Sequence, residues 1–202
     1  GDTFGVADDD PPSDHPLSGP SVFGSAIAAG ATAATYAEGM TSHCQLTDSG
    51  RYAVKHNPWA YFTDERRACR DHDLPLSDLA DDVGAGDLPA VGMVIPDLCN
   101  DAHDCSLRTA NRWMRREVGS VLDGPDFAAG HLAVVITADE DDRAHGNQVL
   151  TVVAHPALDH TVVRARLTHY GLSRSYADVG GFHPLRKAAG ARSVLDAFGL
   201  TT

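Results

Sequence analysis

Carboxylates, imidazoles and amides gather in a few short stretches of this chain, and their spacing points to particular chemistry. The stretch Leu132-Ala-Val-Val-Ile-Thr-Ala138 is an unbroken apolar run that stops at four consecutive acids, Asp139, Glu140, Asp141 and Asp142. Four adjacent carboxylates repel one another unless water, basic partners or a metal compensates. A hard divalent cation suits such oxygen ligands. By spacing alone, a solvated acidic turn is the commoner use of such a run.

A second cluster is Pro96-Asp97-Leu-Cys99-Asn100-Asp101-Ala-His103-Asp104-Cys105. A bond between Cys99 and Cys105 would hold Asn100, Asp101 and His103 in place, as a metal or phosphate site requires. A disulfide that only tidies a tight turn, with His103 capping the next helix, explains the same residues equally well. Lys55-His56-Asn57-Pro58-Trp59-Ala-Tyr61-Phe62 is a third cluster. Its cation, imidazole and amide could grip a phosphate ester, or they could be turn residues anchoring an aromatic minicore, the commoner case. His169, in Thr168-His169-Tyr170, stands at an expected helix start, where backbone N–H groups favour anions. A lone histidine there is more often a cap than a ligand.

The elements around these clusters set where they can meet. An apolar run ending in acids reads as a strand buried on both faces of a parallel sheet, and open α/β sheets bind ligands at the carboxyl ends of their strands. Leu132–Ala138 is expected to be such a strand, Val91–Ile95 its neighbour, with further strands at Thr32–Ala37 and Val149–Ala154. On adjacent parallel strands the clusters after Ile95 and Ala138 would share one rim. Ser21 is placed to cap a helix over Val22–Ala29 and Ser77 one through Val83. Ser106 is placed to cap the clearest helix, Leu107–Leu122, whose apolar positions follow helical spacing. Helices are also expected at 169–179 and 191–198, and residues 41–75 read as irregular. Strands alternating with helices imply a right-handed parallel α/β sheet.

The chain has 202 residues, 43% of them hydrophobic and 22% charged, enough for one sizeable domain spanning residues 1–202. Its net charge of −12 argues against a nucleic-acid or anionic-membrane surface. No apolar segment reaches the roughly 20 residues that cross a bilayer. Cys44, Cys69, Cys99 and Cys105 form an even set whose order favours two local pairs, although three connectivities are open and free buried thiols are the alternative. No C-x2-C pair supports zinc. Disulfides would place the protein in an extracytoplasmic or secreted setting.

Taken together, Gly1-Asp-Thr-Phe-Gly-Val with the Asp8–Asp10 run, Lys55-His-Asn-Pro, the Pro96–Cys105 segment, Ile136-Thr-Ala-Asp-Glu-Asp-Asp and Thr168-His-Tyr resemble the acid phosphatase branch of the phosphoesterases, relatives of bacterial phospholipases C. The resemblance covers essentially the whole chain. It implies an alkaline-phosphatase-like three-layer α/β/α fold with a mostly parallel sheet, and hydrolysis of phosphate esters with a divalent metal ion in many members. Carried over by position, it implies Asp139, Glu140 and Asp101 at the metal. His103, Asp104 and His169 would be catalytic groups, and His56, Asn57 and Asn100 would face the substrate. In relatives the first metal-binding pair and a hydroxyl nucleophile precede the Gly-Asp-Thr-Phe-Gly motif. The chain is therefore expected to correspond to the C-terminal two-thirds of the family domain, without one or two central strands.

These readings lead to metal-assisted hydrolysis of a small phosphate monoester, with His103 or His169 protonating the leaving alkoxide. Because an ordinary imidazole has a pKa of about 6.5, an acid pH optimum is expected. A phospholipase-C-like phosphodiesterase would differ in an apolar lining near Trp59, Tyr61 and Phe62. A truncated or non-catalytic binding relative is the third possibility.

Overall fold

The computed structural model describes residues 1–200. The chain opens with an irregular segment that leads into helix α1 (Val22–Ala28), whose cap, Ser21, accepts the Gly24 N–H. Strand β1 (Ala33–Ala37) follows, and all five of its residues are buried. The expected irregular region holds more order than its sequence shows. It contains 3-10 turns at Val54–His56, Pro58–Tyr61 and Thr63–Glu65, helix α2 (Arg66–His72) and a short strand, β2 (Asp73–Pro75). The Cys44–Cys69 disulfide staples this region. Helix α3 (Leu79–Ala85) ends at Gly86, whose φ of 66° is a left-handed cap that glycine adopts without steric cost. Then come strand β3 (Val91–Ile95), helix α4 (Leu107–Leu122), capped by Ser106, and the single turn α5 (Pro125–Ala128). The remaining elements are β4 (Val134–Ile136), β5 (Val152–Ala154), α6 (His169–Gly180) and α7 (Val194–Ala197).

The main sheet has the order β2-β1-β3, with both pairings parallel. Alternate residues of β1 face opposite layers, as the strand period requires. Ala33 packs with Phe23 and Ala26 of α1, with Trp59 and Phe62, and with Val91. Ala34 and Tyr36 pack with Leu79 and Val83 of α3 and Val121 of α4. Helix α6 joins the first layer, where the Tyr176 hydroxyl donates to the Gly92 carbonyl. Helices on both faces of a parallel sheet make the α/β/α arrangement.

One expectation fails here. The run after Leu132 is not a doubly buried neighbour of β3. Only Val134–Ile136 is extended, all three residues are half-buried, and they pair antiparallel with β5 in a separate two-stranded sheet. The acidic turn beyond Ala138 folds on itself and sends the chain straight back. The nearest backbone partner is therefore the returning segment rather than β3. An apolar run shows that a strand is probable where it ends in turn residues, but not which strand it will pair with.

Candidate active site

The chain leaves β1 into the layer that holds Trp59 and Phe62, and leaves β3 into α4 on the opposite face. Two adjacent parallel strands whose connections diverge in this way open a crevice at their carboxyl ends, the usual ligand position in such sheets. Glu38 stands at this point. Its N–H donates to the Ile95 carbonyl at 2.9 Å. Its carboxylate accepts from Asp97 N–H at 3.0 Å and from Asn100 Nδ2 at 3.1 and 3.0 Å.

The loop after β3 is built by its own polar residues. Asp97 Oδ1 accepts the N–H groups of Cys99 and Asn100, both at 2.9 Å, and Cys99 is bonded to Cys105. Asp101 Oδ1 accepts the His103 N–H at 2.7 Å across Ala102, which sits at a φ of 74°. Asp101 Oδ2 is buried without an aligned donor, and its charged partner is His56 Nδ1 at 3.2 Å. His103 Nδ1 lies 2.8 Å from Asp104 Oδ1. The two imidazoles are 5.9 Å apart, centroid to centroid. Each ring thus has a carboxylate at Nδ1, which favours a proton there and leaves Nε2 for other work. His56 is presented by the 3-10 turn that Val54 anchors in the core. Beside it, Lys55 Nζ meets Asp9 at 2.6 Å. The Lys55 ammonium holds the Asp9 carboxyl below the usual range, with smaller contributions from His56 and His103. The acidic N-terminal loop therefore runs along the same cluster.

Asn57, expected to face a phosphate, is instead fully buried. Its Nδ2 donates to both oxygens of Asp73, at 3.0 and 2.8 Å, and to the Tyr52 hydroxyl at 3.1 Å. Asp73 is also completely buried and takes the Thr35 hydroxyl at 2.6 Å; burial pushes its carboxyl upward, against those hydrogen bonds. The amide satisfies an inward acid, which is why it points away from the rim. Asn100 likewise spends its amide nitrogen on Glu38 rather than on an open space.

Asp139 and His169 come together, since His169 Nε2 lies 2.7 Å from the Asp139 carbonyl. Tyr176 of α6 reaches Gly92 near the amino end of β3, and Gly180 abuts Ala26 of α1, which leads into the amino end of β1. The opposite end of α6, His169, therefore points toward the carboxyl rim. The acidic quartet divides in two. Asp141 accepts the N–H groups of Arg143, His145 and Asn147 at 2.8, 2.7 and 2.9 Å, and Asp142 pairs with His145 at 3.0 Å. Asp139 and Glu140 are exposed.

Among the described residues, the acid and histidine sets close enough to share one ion are Asp8/Asp10/His15 and Asp141/Asp142/His145. A third set, Cys44/Cys69/Asp73, has its sulfurs bonded to each other. Asp139, Glu140 and Asp101 are not gathered into such a set. Asp101 Oδ1 accepts the His103 N–H, while its buried Oδ2 has the His56 ring at 3.2 Å and no hydrogen-bond donor. Glu38 and Asp9 were not singled out from the sequence. Glu38 was discoverable, because it too is the first acid after a buried apolar strand.

The imidazole pair His56 and His103 stands on an α/β/α frame, and sequence comparison supplies the family. The chain belongs to the Phosphoesterase family, matched over residues 3–161. It is 26% identical over 203 residues to a phosphatidylinositol-3-phosphatase of Mycobacterium tuberculosis, covering 98% of this chain and 65% of that protein. A phosphate-repressible acid phosphatase of Penicillium chrysogenum is 30% identical over 139 residues, 64% of this chain and 33% of that protein. A probable acid phosphatase of Kluyveromyces lactis is 29% identical over 110 residues, 52% of this chain and 25% of that protein. The chain thus spans less than two thirds of the length of each of these relatives.

Proposed function

We propose that this chain supplies the imidazole, carboxylate and lysine groups of a hydrolase acting on small phosphate monoesters. The observation that carries the reading is the pair of carboxylate-backed imidazoles, His56–Asp101 and His103–Asp104, 5.9 Å apart beside Lys55. Protonated rings donate through Nε2 to phosphoryl oxygens, stabilising the charge that builds there. As the ester P–O bond breaks and an oxygen nucleophile bonds to phosphorus, one imidazolium passes its proton to the leaving alkoxide. His103, the more exposed ring, is assigned that transfer, Asp104 orients it, and His56 grips the phosphate. His169, whose Nε2 meets the Asp139 carbonyl, is assigned as a third histidine for charge stabilisation.

The cation implied by the resemblance enters no step, because Asp139, Glu140 and Asp101 are not gathered into one donor set. A monoester is favoured over a lipid diester because Trp59, Tyr61 and Phe62 are packed into the core, so they offer no apolar lining to acyl chains. Two disulfides support an extracytoplasmic setting. Among the described residues, no helix is long and apolar enough to cross a membrane.

The test is release of inorganic phosphate from glycerol 2-phosphate, an alkyl ester whose leaving alkoxide needs a proton, by the purified protein with and without divalent ions. His103→Gln should lower kcat by about 10²–10⁴-fold, the range for a lost general acid. No hydrolysis under any of these conditions, or full activity in that variant, overturns the proposal.

A further inference from the structure

We infer that Glu38 is the positioning residue that holds the His103 loop over the crevice, acting through Asn100 and the Asp97 backbone. The Cys99–Cys105 bond closes this loop into a ring. Closure alone does not fix a ring relative to the sheet, since it can still pivot on the chain entering at Pro96 and leaving at Ser106. Glu38 supplies the missing restraint. Its carboxylate takes the Asp97 N–H at 3.0 Å and the Asn100 amide at 3.1 and 3.0 Å, while its own N–H is fixed to Ile95. Among the described residues, the other tie from the loop start to a neighbouring segment is the Leu98 N–H to the Arg51 carbonyl, at 3.1 Å. Asp101 follows Asn100 directly and contacts both His56 and the His103 N–H. A shift of Asn100 therefore moves both imidazoles together.

Charge sharpens the argument. A carboxylate beside a phosphate-binding crevice repels an anionic ester, so an amide at position 38 would help if the residue had no other task. Loss of the clamp predicts the opposite sign. With Glu38→Gln, the remaining oxygen keeps the Asp97 N–H, but the new NH2 faces the Asn100 amide nitrogen, so the side-chain link that holds the loop at Asn100 is weakened. The double variant Glu38→Gln/Asn100→Asp exchanges donor and acceptor. The new amide donates to the new carboxylate and still accepts from Asp97, so the link re-forms.

Both variants of the full chain are compared with wild type in two assays. In glycerol 2-phosphate hydrolysis, Glu38→Gln should lower kcat about tenfold to a hundredfold, the scale of a misplaced reacting group, with KM little changed. The double variant should recover most of that loss. In amide hydrogen exchange, Glu38→Gln should speed residues 97–104 and leave β1 and β3 unchanged, and the double variant should restore their protection. Wild-type exchange in Glu38→Gln, a rate equal to or above wild type, or a double variant no better than the single one overturns the clamp. The inference rests on the phosphate-ester reading for its activity arm alone: a wild type without hydrolysis defeats that reading, while exchange still decides on Glu38. Should Glu38→Gln fail to fold, Asn100→Ala cuts the same contact from the loop side, and unchanged exchange in it overturns the clamp as well.

Discussion

The two disulfides should separate stability from activity. Cys44 and Cys69 close a loop with a sequence separation of 25, and Cys99 and Cys105 one of 6. The chain-entropy relation converts these lengths into about 3.5 and about 2.2 kcal/mol of constraint on the unfolded chain. Cys69 is fully buried and Cys44 nearly so, both within the cluster of Phe23, Trp59 and Val91. Replacing that pair with alanine also empties core volume, so its cost lies above the entropic figure. Cys99→Ala/Cys105→Ala loses less stability but frees the loop that carries Asp101, His103 and Asp104. Urea denaturation of both double variants gives the stability order from the midpoints, with unchanged slope as the check on two-state behaviour. The Cys44→Ala/Cys69→Ala protein should show the lower midpoint and, while folded, near-wild-type kcat. The Cys99→Ala/Cys105→Ala protein should show the reverse. If the Cys99→Ala/Cys105→Ala protein keeps wild-type kcat and loop exchange, or is the less stable of the two, the reasoning about what each bond does is wrong.

Asp73 sets a pH dependence of stability. Burial raises its carboxyl in the folded state, so its contribution is full below the unfolded value of about 3.9 and is lost as pH rises through the raised folded value. Asp73→Asn should therefore gain on wild type as pH increases from about 4, and a pH-independent gap in urea midpoints would contradict this. Gly171→Ala should cost about 1–3 kcal/mol, the scale of overpacking, because a Cβ there would meet the Arg192 carbonyl at 2.4 Å; thermal unfolding measures it. Asp139→Asn and Glu140→Gln, at exposed positions, should leave the urea midpoint within about 0.5 kcal/mol of wild type. Any loss of activity in them then reports on the site and not on folding.

Local chemistry was the most legible part of the chain. Ser21 and Ser106 cap the helices expected of them, and Val91–Ile95 has the expected bounds. These features depend on neighbours within a few residues. The partner of Leu132–Ala138 was misjudged because pairing is decided by distant backbone, which an apolar run does not encode. β2 was missed for a related reason. Its three residues, Asp73–Pro75, include a charge and a proline, and only the buried hydroxyl and amide of Thr35 and Asn57 make that aspartate tolerable inside. Asn57 was misplaced by the same network, since its sequence neighbours Lys55 and His56 face the rim while it turns inward. At the site, the Asn100–Cys105 segment was readable as a preorganised loop. Its anchor, Glu38, is about 60 residues away, and no local pattern links the two.

Carboxylates dominate the charge at the rim. Lys55 pairs with Asp9, Asp101 lies at His56, Asp104 at His103, and Glu38 at Asn100. An anionic ester approaching that cluster meets a net negative field, on a chain whose formal charge is already −12. His56 and His103 each place Nδ1 against one of these carboxylates, so the acids orient both rings and leave Nε2 turned away from them. Under the proposed phosphate-ester reading, the carboxylates that repel an anion are also the groups that orient the imidazoles, so the same acids set both the field and the geometry of the rim.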